Sequence, residues 1–395
     1  MNNTKMNKNK VVLGMSGGID SSVSLLILKE QGYEIIGVYF IMYKHKENTS
    51  AYIKQQQDIN DAKKLANFAG IEFKIIDISK EFEDEVISYF VREYANGRTP
   101  NPCMVCNRKI KMKYLIDVAD KENAYYIATG HYAGIEDTKY GKVLLKGEEI
   151  AKDQSYFLAN INRKWLDRII FPLAKYEDKE KVKVEYSKIY NEIQKNKKEK
   201  DIIQNKKESQ DICFIKDMNY QQFIEEYVLD KKEQEKENKN KDKNNISKEI
   251  TELKDVDIYF EDKYLTKGKK IYSYTIGKRK GLNIALNKKV YVTKLDSKNN
   301  RVYLGEIDKL KTKEVLIKDI NLLIQEDKLK EILANNKILT VKLNYNAKAQ
   351  ECTLNLNKIT NSCKIILKEY VRKPSSGQYA VIYLDNIILF SGEIV

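Results

Sequence analysis

The stretch that decides the fold is Gly14-Met15-Ser16-Gly17-Gly18-Ile19-Asp20-Ser21-Ser22. It overlaps the end of the apolar run at 11–15 and leads into residues 22–31, whose apolar positions repeat with a helical period. Two adjacent glycines let successive backbone N–H groups face one concavity, and a helix N-terminus adds its positive end. The stretch therefore predicts a cradle for pyrophosphate between a strand and a helix. No lysine follows the glycines, so the loop is not the P-loop of kinases and GTPases.

The side chains of this loop support the same interpretation. Ser16, Ser21 and Ser22 offer hydroxyls, and Asp20 is placed to hold a Mg²⁺ ion that bridges phosphates. A Gly-rich turn with a serine helix cap is the purely structural alternative. The pattern Ser-Gly-Gly-x-Asp-Ser-Ser after a strand resembles the N-type ATP pyrophosphatase loop, which binds the β and γ phosphates while AMP is transferred. Synthetases for NAD, GMP or argininosuccinate stay open at this level.

Strands and helices alternate on both sides of the loop. Strand-like runs lie at 11–15, 34–40, 72–78 and 125–129, with helical runs at 22–31, 52–69 and 80–95. This alternation predicts a parallel sheet with helices on its faces. Ligands of such sheets bind at the carboxyl ends of the strands. The loops that follow Met15, Phe40 and Thr129 are therefore expected to form one site.

The second half of the chain has a different pattern. A long helical stretch is expected through Trp165 to about residue 200, and the charged run 231–248 reads as a solvated linker or insertion. Short β-rich runs then lie at 290–295, 301–304, 339–345, 352–356, 363–367 and 379–384. They predict a small antiparallel barrel or sandwich. The expected domains are an ATP pyrophosphatase-type α/β domain over 1–225, a central tRNA-contacting domain over 226–295 and a C-terminal β-barrel over 296–395.

Composition suggests a partner rich in phosphates. The formal net charge is +14 and the pI is about 9.1, which suits binding to a phosphate backbone. A general compositional bias toward lysine would produce the same net charge. The polar start carries no export signal, and no apolar run approaches the ~20 residues that a membrane span needs. An odd number of cysteines, five, argues against a secreted disulfide scaffold. These features predict a cytoplasmic protein with reduced thiols and no membrane partner.

Three cysteines stand in distinctive surroundings. Cys103 and Cys106 lie in Gly97-Arg98-Thr99-Pro100-Asn101-Pro102-Cys103-Met104-Val105-Cys106-Asn107, where a proline-limited loop enters a helix. The helix dipole favours a thiolate near such a start. Structural zinc is disfavoured because the chain has only two histidines, and a thioredoxin-like pair does not suit the phosphate loop. Cys213, in Glu208-Ser209-Gln210-Asp211-Ile212-Cys213-Phe214-Ile215, would alone be taken for a buried apolar cysteine.

Taken together, these segments resemble the bacterial tRNA-specific 2-thiouridylase family, known as MnmA or TrmU. The matching segments run in order over nearly the whole chain: 14–22, 99–107, 129–133, 152–158, 209–215, 274–282 and 376–378. The set is far more specific than any single motif. It implies ATP-dependent 2-thiolation of the wobble uridine in tRNAs for Lys, Glu and Gln. RNA rather than DNA is the implied nucleic acid, and a cysteine desulfurase or sulfur-relay protein is the implied sulfur donor.

The resemblance also implies a role for each matching residue. ATP would be held by Gly14, Met15, Ser16, Gly17, Gly18, Ile19, Asp20, Ser21, Phe40 and Gly130. Cys106 would be the nucleophile and Cys213 would carry the persulfide sulfur. The target base would meet Asn101, Pro102 and Cys103. The tRNA would be contacted by His131, Lys152, Asp153, Gln154, Asn344, Tyr345 and Gln378, as suits RNA backbone and splayed bases.

Departures from the family pattern leave alternatives open. Cys103 stands where some relatives have an aspartate, and Asn344 and Asn346 stand where relatives have arginine. With Cys103 present, a [4Fe–4S] cluster held by the three thiols is an alternative scheme. A pyrophosphatase-type synthetase of a small metabolite and a non-catalytic RNA-binding protein are the more distant alternatives. The persulfide scheme is preferred because it needs only ATP, Mg²⁺ and a sulfur donor.

Overall fold

The computed structural model describes residues 6–176, 180–182, 184, 185, 187, 188, 212–216, 218–237, 254–282, 284 and 286–395. Three sheets organise the chain, and the first carries the phosphate loop. Its strands are β1 (Asn7–Gly14), β2 (Glu34–Ile41), β3 (Glu72–Asp77), β4 (Ala124–Ala128) and β7 (Ile169–Ile170). All are parallel, in the order β3-β2-β1-β4-β7. The predicted parallel sheet is confirmed.

Helices cover both faces of this sheet. They are α1 (Ile19–Glu30), α2 (Ser50–Ala69), α3 (Ser79–Phe82), α4 (Ser88–Ala95), α5 (Pro102–Cys106), α6 (Met112–Lys121) and the short α7 (Ser155–Leu158). Alternate residues of β1 point to opposite faces. Val11 and Leu13 pack with the side chains of α1 and α2, whereas Val12 packs with those of α6. Both faces of the sheet are therefore buried, as parallel sheets require.

Two helices of this domain contain a π turn. Glu83–Ile87 joins α3 to α4, and Asn107–Lys111 joins α5 to α6 in one continuous helix. A π turn inserts an extra residue into the helical repeat and is frequent at functional sites. The second turn begins directly after Cys106, so it changes which side chains share the face of that cysteine.

As far as residue 176 the predicted long helical stretch is replaced by shorter elements, whereas residues 180–182, 184, 185, 187 and 188 are helical. Residues 133–146 instead form a hairpin of β5 (Ala133–Thr138) and β6 (Gly141–Lys146), and Arg163–Arg168 is a short 3-10 helix. Helix α8 (Tyr220–Glu237) includes the start of the charged run predicted to be a linker. Residues 231–237 are therefore helical, because Tyr227 and Val228 earlier in α8 pack on α4 and anchor the helix. The rest of that run lies outside the described residues.

The central sheet has four strands in the order β10-β11-β8-β9. They are β8 (Asp255–Phe260), β9 (Lys263–Lys270), β10 (Tyr291–Asp296) and β11 (Arg301–Gly305). Val256, Ile258, Val292 and Val302 form a small core of their own. The sequence did not predict β8 and β9, and the expected domain boundary at 295 falls within β10; the boundaries stay predictions.

The last sheet closes into the predicted barrel. Its strands are β12 (Lys311–Leu322), β13 (Leu339–Lys342), β14 (Gln350–Asn357), β15 (Ser362–Arg372), β16 (Tyr379–Leu384) and β17 (Ile387–Ile394), with α9 (Glu326–Ala334) between β12 and β13. The antiparallel order β12-β15-β14-β13-β16-β17 closes through pairing of β12 with β17. The β5–β6 hairpin extends this sheet where Leu145 pairs with Ile387. The barrel is therefore tied to the first domain.

Candidate functional site

The phosphate loop lies at the point where the sheet changes direction. Strand β1 sits between β2 and β4, so the chain leaves it toward β2 and later returns on its other side. Such a switch point opens a crevice at the carboxyl ends of the strands. The loop follows β1, Phe40 lies near the end of β2, and Gly130 follows β4. The loops predicted to form one site therefore meet at one edge.

The loop geometry requires its glycine. Gly17 has φ +72°, and a Cβ there would lie 2.2 Å from the Asp58 backbone oxygen of α2. Serine hydroxyls fix the rest of the turn. Ser21 Oγ donates to the Gly18 carbonyl at 3.0 Å, and Ser22 Oγ donates to the same oxygen at 2.9 Å. These two bonds fix the turn at the N-terminus of α1, a position that favours an anion.

Asp20 is oriented from the other side of the crevice. The Tyr132 hydroxyl donates to Asp20 Oδ1 at 2.9 Å, and Tyr132 itself is buried. A Cβ on Gly130 would lie 2.8 Å from the Asp20 carbonyl carbon, so the loop after β4 packs directly on the phosphate loop. Mg²⁺ is usually bound by one or two carboxylates together with substrate phosphates. Asp20 therefore fits the predicted role.

The three motif cysteines come together although Cys213 is far from the others in sequence. Cys106 is buried in the same core as Phe214 and Ile215, the residues that follow Cys213. Phe214 anchors that segment by packing its ring on Phe82 and Phe90, with ring centroids 5.6 and 5.4 Å apart. All three thiols are free in this structure. The predicted Cys106 and Cys213 pair therefore shares one site.

The surroundings of the thiols disfavour their charged forms. Burial raises the pKa of Cys103 to about 11 and that of Cys106 to about 12, and it also raises the pKa of Cys213. Cys103 and Cys213 are nevertheless solvent-exposed. The Cys103 and Cys213 side chains thus reach solvent while nearby protein atoms remove much of the water around their sulfur atoms. This combination is typical of a recess in the surface. The helix position of Cys106, expected to favour a thiolate, is outweighed by its burial.

Lys111 provides the opposing charge. Its ammonium lowers the pKa of Cys103, Cys106 and Cys213. It also acts on His131, whose pKa burial and this charge together lower to about 3. Because His131 directly follows Gly130, Lys111 links the thiol recess to the edge that carries the phosphate loop. Sequence reasoning missed Lys111, because a π turn has no recognised sequence pattern.

The residues predicted to meet the target base differ in exposure. Asn101 is buried as the N-cap of α5, where its side chain accepts a hydrogen bond from the Met104 N–H at 3.3 Å. Pro102 is buried as well, at the first helical turn. Only Cys103 of the three presents an exposed side chain. Asn101 and Pro102 thus shape the loop, and their base contact stays a prediction.

Several residues predicted to contact tRNA make internal hydrogen bonds. Asp153 is buried, and its Oδ1 accepts from the N–H groups of Gly147 and Ser155 at 3.0 Å. Gln154 Oε1 accepts from the Tyr132 N–H at 3.2 Å. These two residues therefore brace the loop that carries Tyr132. Lys152, the third of this run, is half-buried.

The remaining predicted tRNA contacts lie around the thiol recess or on the barrel. His131 Nδ1 is 2.7 Å from Thr129 Oγ1. Tyr345 packs against Phe157 with ring centroids 4.4 Å apart, and Asn344 beside it is exposed. The Gln378 amide donates to the Thr99 carbonyl at 3.1 Å, which places the barrel against the cysteine loop. Their RNA contacts stay predictions.

The part of the chain that the structure describes has no group of three Cys, His, Asp or Glu residues that could hold a metal ion. The cluster held by Cys103, Cys106 and Cys213 stays an alternative scheme. None of the helices in the described part is both long and apolar enough for a membrane span.

Comparison with known proteins gives matches along the whole chain. Residues 9–217 match the family described as tRNA methyl transferase HUP domain. Residues 244–306 match the tRNA methyl transferase PRC-barrel domain, and residues 312–394 match the aminomethyltransferase beta-barrel domain. The three matches follow the order of the three sheets.

Individual relatives match at full length. The tRNA-specific 2-thiouridylase MnmA 2 of Clostridium botulinum strain Langeland is 36% identical over 390 residues, covering 99% of both chains. MnmA 1 of Thermoanaerobacter sp. strain X514 is 36% identical over 396 residues, covering 98% of both. MnmA 1 of Clostridium tetani is 36% identical over 390 residues, covering 99% of this chain and 98% of the relative.

Proposed function

Because the chain belongs to the tRNA-specific 2-thiouridylase family, we propose that it replaces O2 of the wobble uridine of tRNA with sulfur, using ATP. One observation carries the proposal. Cys106 and the segment of Cys213 share a core beside the edge that carries a pyrophosphate cradle. This arrangement supports a single site for base activation and sulfur transfer.

The first step is adenylation of the base. Uridine O2 attacks the α-phosphorus of ATP, the new O–P bond forms, and pyrophosphate leaves with the electron pair of the broken bond. The loop after Gly14 supplies N–H groups and the N-terminus of α1 for the departing charge. Asp20, oriented by Tyr132, is the residue that would hold Mg²⁺, which stabilises phosphate charge when bound.

The second step moves sulfur. Cys213 receives it from a cysteine desulfurase or relay protein as a persulfide, whose terminal sulfur attacks C2 of the base while AMP leaves. The Cys106 thiolate then attacks Cys213 Sγ. The Cys106–Cys213 disulfide forms, the bond between the two sulfurs of the persulfide breaks, and the electron pair stays on the 2-thiouridine sulfur. A reductant resets the pair. The exposure of Cys213 supports access by a donor, and the burial of Cys106 suits the internal step.

The tRNA partner is supported by charge and by surface chemistry. Strand β9 exposes Lys263, Lys267 and Lys269 together with Tyr264. Lysines with interleaved aromatic rings suit RNA backbone and unstacked bases. A wobble base is unpaired in the free anticodon loop and can be turned into a pocket at modest cost. The tRNAs for Lys, Glu and Gln are the proposed substrates.

Mass analysis of nucleosides tests the proposal directly. The full chain is incubated with a tRNA transcript, ATP, Mg²⁺ and a persulfide donor, and 2-thiouridine is measured after digestion. We expect the product from the wild-type protein and its loss in Cys106→Ser and Cys213→Ser. Pyrophosphate release should persist in Cys213→Ser. Cys352, one of two buried barrel cysteines, provides a matched control: Cys352→Ser should keep the product.

Three results would each overturn a part of the proposal. Pyrophosphate release that needs no tRNA would favour a synthetase acting on a small metabolite. Thiolation that depends on bound iron and ignores persulfide donors would favour the cluster scheme. Absence of ATP turnover with tRNA and donor both present would leave an RNA-binding protein without this activity.

A further inference from the structure

We propose that Lys111 is a positioning residue of the thiol site, holding its ammonium beside Cys106 so that the sulfur-bearing anions form within the recess. The inference rests on the proposed sulfur transfer for its biological meaning. Its physical content, a cation that makes these thiols reactive, can be tested without that reaction.

The π turn places Lys111 on the face of Cys106. In a regular α-helix, residues five apart point about 140° away from each other. The turn Asn107–Lys111 instead runs in the wider repeat, in which hydrogen bonds join residues five apart. One π turn therefore stacks Lys111 above Cys106. The backbone N–H of Lys111 also lowers the pKa of the Cys106 thiol.

The neighbouring lysines of the helix form ion pairs with carboxylates, and Lys111 differs from them in this respect. Lys109 pairs with Glu85 at 2.6 Å and Lys113 with Asp117 at 3.4 Å. Among the described residues, no carboxylate lies within ion-pair distance of the Lys111 ammonium, and the residue is half-buried. A partly buried cation without an acid nearby attracts an anion that forms during the reaction.

The surrounding groups show which anion this is. The Lys111 charge acts on the three thiols and on the ring of His131. Lys216, on the segment of Cys213, is a second cation that acts on Cys213. Lys111 is the cation that lowers the pKa of Cys106, because the other groups that act electrostatically on this thiol are Cys103 and Cys213. The Cys106 thiolate is therefore the species that depends most on Lys111.

Thiol alkylation measures this dependence in the whole protein. Iodoacetamide reacts with the thiolate, so the alkylation rate follows the thiolate fraction. Rates at Cys106 and Cys213 are followed by peptide mass analysis between pH 7 and 10 in wild type, Lys111→Met, Lys111→Arg and Lys113→Met. We expect Lys111→Met to slow Cys106 alkylation roughly tenfold, about one pKa unit. Cys213 should slow less because Lys216 remains, and Lys111→Arg should recover most of the rate.

The control and the second readout separate the possible outcomes. Lys113→Met should match wild type, since Lys113 is exposed and paired on the neighbouring turn. An unchanged Cys106 profile in Lys111→Met, or an equal loss in Lys113→Met, would overturn the inference. So would loss of tRNA-dependent pyrophosphate release in Lys111→Met with unchanged alkylation, because Lys111 would then serve the phosphates. If wild type makes no 2-thiouridine, the proposed function fails while alkylation still tests Lys111.

Discussion

The Gln378 side-chain amide donates to the Thr99 backbone carbonyl at 3.1 Å, joining residues 279 apart in the sequence. The Thr99 N–H donates to the Ser376 carbonyl at 2.7 Å, and Arg98 pairs with Glu393 of β17. The barrel therefore holds the loop that leads into α5 and the cysteines. This contact makes the C-terminal domain part of the candidate site.

Removal of the Gln378 amide should loosen the cysteine loop. In Gln378→Leu we expect a loss of about 1 kcal/mol in unfolding free energy, typical of one hydrogen bond. Thiolation should fall roughly 10- to 100-fold in kcat, because small displacements of reacting groups are costly. Gln350→Leu is the control, since that amide reaches only the nearby Lys348 carbonyl. A change confined to KM for tRNA would show that Gln378 contacts RNA instead.

Asp20 should be needed for activation and not for RNA binding. Asp20→Ala removes the carboxylate proposed for Mg²⁺, so tRNA-dependent pyrophosphate release should be lost while tRNA affinity stays unchanged. Tyr132→Phe keeps the carboxylate but removes its hydrogen bond at 2.9 Å. We expect release to slow roughly tenfold in that variant, in keeping with a hydrogen bond to a charged group.

An exposed acid on the β5–β6 hairpin provides the control for these variants. Asp137→Ala removes a carboxylate that pairs with Lys142, and it should behave as wild type. Normal pyrophosphate release in Asp20→Ala would remove this residue from the mechanism. Equal slowing in Asp137→Ala would mean that the effect reflects overall charge.

Gly17 should be irreplaceable for a steric reason beyond its backbone conformation. Gly17 and Gly32 both have positive φ, +72° and +82°, so alanine strains either position by about 1–2 kcal/mol. Only Gly17 adds a clash, 2.2 Å from the Asp58 oxygen, whereas a Cβ at Gly32 meets nothing within 4 Å. Gly17→Ala should abolish ATP-dependent pyrophosphate release, and Gly32→Ala should lower stability alone. Equal activity of the two variants would contradict the proposed role of the loop.

The sequence predicted the elements whose pattern is local. The strand–loop–helix around Gly17 and the period of β1 to β4 are visible because apolar residues repeat within each element. The β5–β6 hairpin was missed, since its burial comes from pairing Leu145 with Ile387 of the distant barrel. Strand β9 was missed because exposed lysines conceal the alternation of apolar residues that marks a strand. Its pairing partner β8 was missed with it.

In the candidate site too, local motifs were predictable, whereas contacts between distant segments were not. The motifs identified Cys106 and Cys213, but their meeting depends on Phe214 entering a core built by α3 and α4. The internal roles of Asp153 and Gln154 come from contacts with Gly147 and Tyr132 that no spacing reveals. Lys111 depends on a π turn, which the α-helical period of the sequence conceals.

His131 should make folding sensitive to acid. Burial, with the Lys111 charge, lowers the pKa of His131 in the folded protein to about 3 from its ordinary value near 6.5. Between these values the unfolded chain takes up a proton that the folded protein does not. Stability is therefore present above about pH 6.5 and lost as the pH falls toward 3, by up to about 1.4 kcal/mol per pH unit.

Replacement of His131 should remove its contribution to the loss of unfolding free energy at acid pH. Urea unfolding of wild type and His131→Gln between pH 7.5 and 4.5 gives the difference in unfolding free energy, in which the carboxylate contributions cancel. We expect the advantage of wild type to shrink steadily below pH 6.5. Parallel profiles for wild type and His131→Gln would show that the ring is protonated in the folded protein, and the neutral imidazole assigned to the edge between Lys111 and the phosphate loop would be wrong.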